Sequence, residues 1–216
     1  MLKCIRIAQK KTDLNKSITL AFIFLLILTA CNSKKKAKSD LDIEFTQDTL
    51  TVGYTYWWPE SGPFIGQCGE ELSLVFSGTI TNIHEPSDEA GPLYTSQKGY
   101  IQIDRVFKIK DLGSKGFRNQ QFFVSDCFNG MGLKKDDTVL VFCYDYENAL
   151  SIPGEHSILK IATLDDPLID SIKKYIDENQ NSSKIKKDLK LWEKHGLGSA
   201  LQKIMECEEF SSEQTN

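Results

Sequence analysis

Residues 72–83 read LSLVFSGTITNI, and how this run is taken decides the fold. Its leucine, β-branched and aromatic side chains predict a strand, and the lone Gly78 predicts a bulge or kink within it. Just upstream lies YTYWWPESGPFIGQCGEE (54–71), with two adjacent tryptophans, a Pro-Gly-rich bend and Cys68. Before that, TLTVGYTYW (49–57) alternates Leu50, Val52, Tyr54 and Tyr56 on one side, the pattern of a half-buried leading strand.

Downstream, YIQIDRVFKI (100–109), QQFFVS (120–125), TVLVFCYDY (138–146) and HSILKIAT (156–163) predict further strands. The stretches between the last three, CFNGMGLKKDD and ENALSIPGE, are rich in turn residues. Five short strands after the leading one, with no helix between most of them, point to a small closed or Greek-key barrel.

Past residue 163 the periodicity changes. Asp166-Pro167 predicts a helix start, with a capping oxygen and proline's fixed φ at the first helical position. Leu168, Ile169, Ile172, Tyr175 and Ile176 then recur on one face. A second start at Ser183 leads through Ile185, Leu189 and Trp192 to a stop at Gly196, and a third helix carries Leu201, Ile204 and Met205 up to Cys207. The expected organisation is a signal peptide (1–30), a tether (31–45), a barrel (46–163), a helical segment packed on it (164–210) and a disordered tail (211–216).

The N-terminus predicts export. Lys3, Arg6, Lys10, Lys11 and Lys16 precede the 13-residue apolar run Ile18–Ala30. That run is short of the about 18 residues of a membrane-spanning helix and suits a signal peptide. It ends in Leu28-Thr29-Ala30-Cys31, which resembles a bacterial lipobox. Cleavage would leave Cys31 as a lipid-bearing first residue, carrying diacylglycerol and palmitate-like chains that hold the protein on a membrane. Lys34, Lys35, Lys36 and Lys38 would sit beside anionic head groups. Asn32 stands where an inner-membrane retention signal resembles Asp, so the outer membrane, periplasmic face, is the expected location (the cell membrane if there is no outer one).

Five of the 26 Lys/Arg and one of the 30 Asp/Glu fall in residues 1–30, leaving 21 basic and 29 acidic residues and a net charge of −8. Such a balance argues against nucleic-acid binding, which needs a basic face to displace counterions. Beyond Cys4 and Cys31, the cysteines are Cys68, Cys127, Cys143 and Cys207. An even number in an exported chain predicts two disulfides, in any of three pairings.

The order CGEELSLVFSGTI, YIQIDRVFKI, FFVSDCFNG, GLKKDDTVLVFCYD resembles the netrin-like OB-fold domain of the tissue inhibitors of metalloproteinases and their bacterial relatives. Cys68, Val75–Gly78, Val106–Lys108, Cys127 and Val139–Phe142 carry the likeness, over roughly residues 68–163 plus the last helix. It implies a mainly β fold: a five-stranded OB-like Greek-key barrel with a leading extra strand and a C-terminal α-helical segment. It also implies a Cys68–Cys207 disulfide, with Cys127 then left to Cys143. The family's zinc-chelating N-terminal Cys-x-Cys arm has no counterpart. Cys31 should be acylated and stands 37 residues before Cys68, so protease inhibition by that route does not carry over.

No G-x-S-x-G, H-E-x-x-H, P-loop or G-x-G-x-x-G motif occurs. His84, His156 and His195 stand apart, and His84 beside Glu85, Asp88 and Glu89 reads as a solvated loop. Asp136-Asp137 and Asp165-Asp166 read as turn and cap residues. No catalytic residue, metal or cofactor is expected. Trp57 and Trp58 point to opposite faces of an extended chain. Either the leading strand packs across the barrel as a seam and buries both rings, or the pair and Phe64 form an exposed binding patch. The seam is favoured, and Trp57, Trp58 and Phe64 stand as the candidate binding residues. The expected function is a non-enzymatic, membrane-tethered binding module for an envelope protein or peptide. The competing readings are a structural lipoprotein supporting a larger complex and, less favoured, a metal-dependent hydrolase.

Overall fold

A computed structural model describes residues 41–54, 60–88 and 94–213. The expected signal peptide, Cys31, most of the tether, and both Trp57 and Trp58 lie outside the described residues. The strands are β1 (Thr46–Thr51), β2 (Gly53–Tyr54), β3 (Leu72–Ile83), β4 (Gly99–Ile109), β5 (Gln120–Ser125), β6 (Thr138–Tyr146), β7 (Ala149–Ile152) and β8 (Ile158–Ile161). After them come α1 (Pro167–Asp177), a 3-10 segment (Ser182–Asp188), α2 (Leu189–Glu193) and α3 (Gly198–Glu213). The fold is mainly β with C-terminal helices.

One mixed sheet runs β1-β5-β4-β3-β6-β7-β2, with β8 also paired to β6, and it curls into a half-barrel. β3 is its spine, antiparallel to β4 on one side and to β6 on the other. Register shifts bend it at Val75/Phe76, Ser77/Gly78 and Ile80/Asn82. Gly78 sits at the middle shift as expected, because a Cβ there would collide with the carbonyl oxygen of Gln102. The leading segment breaks at Val52. β1 pairs parallel with β5, and β2 pairs parallel with β7, so one short stretch touches both ends of the sheet.

β6 shows how the sequence divides two cores. Val139, Val141 and Cys143 face the inside of the curl with Leu74, Phe76, Ile101, Ile103 and Phe123. Leu140, Phe142 and Tyr144 face the helices, against Leu168, Ile172, Trp192, Leu201 and Ile204. Both faces are covered, so the strand is apolar almost throughout. β7 departs from expectation, since ENALSIPGE was expected as a turn. Glu147 and Asn148 both adopt positive φ and make a two-residue hairpin, after which Leu150 and Ile152 are buried.

The helical segment starts as expected. Asp166 Oδ1 accepts from Leu168 N at 3.0 Å, with Pro167 next to it. Gly196, at φ +73°, ends the second helical stretch, and Leu197 N reaches back to Trp192 O at 3.0 Å. α3 runs on to Glu213, past the expected end at 210, so residues 211–213 are helix rather than tail.

Candidate functional site

The Cys68–Cys207 disulfide is present, with Cα atoms 5.2 Å apart and a sequence separation of 139. It ties the chain entering β3 to α3. The second expected pair is corrected: Cys127 and Cys143 are free, buried thiols. Cys127 follows β5 and Cys143 lies on β6, and in the sheet β4 and β3 stand between those strands.

Phe64 is also corrected. Its ring is only 1% exposed and stands edge-on to Tyr175 and Trp192, with centroids 5.5 and 4.9 Å away. It fills the space between the bend and the helices, so it is core and offers no surface. The bend is fixed by Glu60, whose carboxylate accepts from Gly66 N at 2.7 Å and pairs with Lys203 of α3. Tyr144 Oη donates to Gly62 O at 2.8 Å.

Beside the disulfide, where β3 and β4 meet the end of α1 and α3, lies a cleft of about 440 Å³. Gln180 and Asn179 shape one lip, both in the left-handed backbone region that turns the chain out of α1. The Gln180 side chain spans the gap to the sheet. Its Oε1 accepts from Leu72 N at 3.0 Å and from Lys108 Nζ at 2.9 Å, while Nε2 donates to Glu70 O at 3.0 Å. Lys108 Nζ also donates to Glu71 at 3.3 Å, and Lys110 links Glu71 (3.2 Å) to Asp145 (3.4 Å). Glu208, which also lines the cleft, accepts from Ser182 N at 3.1 Å and Ser182 Oγ at 2.7 Å. Tyr175 is buried at the base.

These contacts set the protonation states. Partial burial works to raise the Glu71 carboxyl, but hydrogen bonds from Lys110 and Lys108 outweigh it and hold it below its ordinary value. The Lys110 ammonium is raised, chiefly by its bond to Glu71. Burial pushes the Tyr175 phenol up to about 12, with the Gln180 carboxamide working against this. At neutral pH the Glu71 carboxylate is therefore charged and the Tyr175 phenol neutral, beside the Lys108 side chain, which is engaged twice. It can hold and orient a polar ligand.

The remaining expected residues are placed simply. His84 lies against the Tyr100 ring at 5.2 Å, and Asp88 accepts from Thr95. Asp137 closes its turn by accepting from Lys134 N at 3.0 Å. Among the described residues, no three His, Cys, Asp or Glu side chains come together as a metal set. The cleft residues Gln180, Asn179, Lys108, Glu71 and Glu208 carry no motif. The one available signal was the polar run DENQNSS (177–183) between two apolar-periodic segments, which marks a turn but not what the turn touches. No protein-family model matches this chain, and no curated protein matches it.

Proposed function

We propose that this chain is a lipid-anchored cell-envelope protein whose OB-like, netrin-like barrel serves as a non-enzymatic binding module, with its ligand seated in the cleft beside Cys68–Cys207. The observation that carries the reading is the cleft: its walls come from the segment entering β3, from β4, from α1 and the turn after it, and from α3, and they are cross-linked by a disulfide and by the Gln180 bridge. A site held on rigid elements loses little conformational freedom when it binds. The OB-like assignment is supported by the spatial order β6-β3-β4-β5, three strands in succession with a fourth returning beside the first. Support for the anchor comes from Leu28-Thr29-Ala30-Cys31 behind its apolar run. The location proposed is the periplasmic face of an outer membrane, or the cell membrane where no outer membrane exists.

The test uses full-length protein in envelope membranes, with a photoreactive residue in place of Asn179 on the cleft lip or, as control, of Lys115, which does not line the cleft. A discrete adduct formed from position 179 and absent from position 115 is expected. In parallel, Cys31→Ser should abolish lipid labelling and release the protein from membranes. Equal adducts from both positions would overturn the cleft as the binding site, and membrane retention without Cys31 would overturn the anchor.

A further inference from the structure

The cleft's inventory of charged groups is lopsided. Its one ammonium, Lys108, is already engaged by Gln180 Oε1 (2.9 Å) and Glu71 Oε1 (3.3 Å). Gln180 Nε2 gives one of its two N–H groups to Glu70 O. Acceptors remain, because each carboxylate offers about four lone-pair sites. Glu71 meets Lys108 and Lys110, and Glu208 meets Ser182, which lies outside the lining. The lining thus carries two carboxylates and one lysine. An anionic ligand would face both carboxylates and find no free cation among the lining residues.

Placement adds to the count. Glu71 stands just ahead of β3 and Glu208 projects from α3, and both line the cleft. The volume of about 440 Å³ falls in the range of about 300–1,000 Å³ typical of small-ligand pockets. It is ample for one long side chain and a little main chain. The chain beyond residue 30 carries a net charge of −8, which draws cations towards it at long range.

We infer that the cleft binds a basic peptide segment by inserting an arginine or lysine side chain between Glu71 and Glu208. This rests on the reading of the cleft as the binding site and adds the class of ligand. A guanidinium suits the gap best. Its five donors in a planar fork can engage a carboxylate bidentately, where an ammonium offers a single point of charge.

The experiment is fluorescence anisotropy with dye-labelled Gly-Arg-Gly-Arg-Gly, and with its Glu-for-Arg and Gln-for-Arg counterparts, against the full chain in detergent micelles. The arginine peptide should bind saturably and the other two should not. Glu71→Gln with Glu208→Gln keeps the acceptor oxygens for Lys108 and Ser182, so the fold survives, and should weaken binding at least tenfold. Glu206→Gln with Glu213→Gln removes the same charge from α3 outside the cleft and should change affinity less than twofold. If the glutamate or glutamine peptide binds as well as the arginine peptide, and E71Q/E208Q alters that binding, the ligand class is wrong and the cleft stands. If the two double variants weaken arginine-peptide binding equally, the attraction is diffuse and both the class and the cleft fall. Absence of binding by all three peptides overturns the inference.

Discussion

Gln180 Oε1 accepts the backbone N–H of Leu72 at 3.0 Å across 108 residues of sequence, so the first residue of the sheet's spine is capped by a side chain from the end of α1. The same carboxamide holds Lys108 and Glu70 O. Gln180→Ala removes all three bonds and leaves a part-buried N–H unmade, which costs about 1–3 kcal/mol. Urea unfolding with an unchanged m-value should show that loss. A shift below about 0.5 kcal/mol would mean that water replaces the carboxamide freely.

The disulfide and the two thiols make a joint prediction. A peptide map of protein alkylated in denaturant without reductant should link Cys68 to Cys207 and find Cys127 and Cys143 modified. Recovery of a Cys127–Cys143 peptide would restore the second pair that the netrin-like resemblance implies. Opening Cys68–Cys207 frees a loop of 139 residues and should lower stability by about 4–5 kcal/mol in the chain-entropy model.

Much of the scaffold was legible because it rests on local rules. β3, β5 and β6 fall on the apolar runs at 72–83, 120–125 and 138–146, and Asp166-Pro167 starts a helix where capping chemistry places one. Other features depend on long-range packing. Phe64 looked available because it follows Pro63 in a bend, yet that bend folds under the helices and Trp192 receives the ring. β7 was hidden in turn-rich sequence because its two buried apolar side chains, Leu150 and Ile152, make too short an alternation. The cleft was invisible, since Gln180 is an ordinary polar residue until α1 delivers it to Leu72.

Trp192 is fully buried, and its Nε1 donates to Ser171 Oγ at 2.9 Å, which in turn donates to Asp188 at 3.0 Å. Trp192→Phe should cost less than Trp192→Ala, whose cavity lies between the bend and the helices and should cost about 3–5 kcal/mol. Ser171→Ala leaves the indole N–H buried without its acceptor and should cost about 1–3 kcal/mol. If Ser171→Ala proves neutral by thermal and urea unfolding, the hydrogen-bonded chain is not a stability element.

On the acid side, Glu71 is held below its ordinary value, as is Asp137, where burial works to raise the carboxyl and the bonds from Lys160 and Lys134 N outweigh it. A depressed carboxylate contributes stability that is present above its unfolded value and is lost as the pH falls through its folded value. Glu71→Gln with Asp137→Asn should therefore flatten the stability profile below about pH 4, towards the ordinary carboxylate range and under it. An unchanged acid limb in the double variant would place the pH dependence elsewhere.

The alkaline side runs through the buried thiols. Burial pushes Cys127 up to about 12, partly opposed by the Ser125 hydroxyl, and it pushes Cys143 up as well, with Cys127 adding to it. In the unfolded chain a cysteine ionises near about 8.5. The contribution of each neutral thiol is thus complete below that value and is lost as the pH rises from it towards the folded one, at about 1.4 kcal/mol per pH unit for each group. Urea midpoints between pH 8 and 10.5 should fall more steeply for the wild type than for Cys127→Ala with Cys143→Ala. The native thiols should also resist a disulfide reagent at pH 8 until the protein unfolds. Fast modification of the folded protein, or parallel slopes for the two proteins, would mean that these cysteines are reached by solvent and that the interior of the curl is not closed over them.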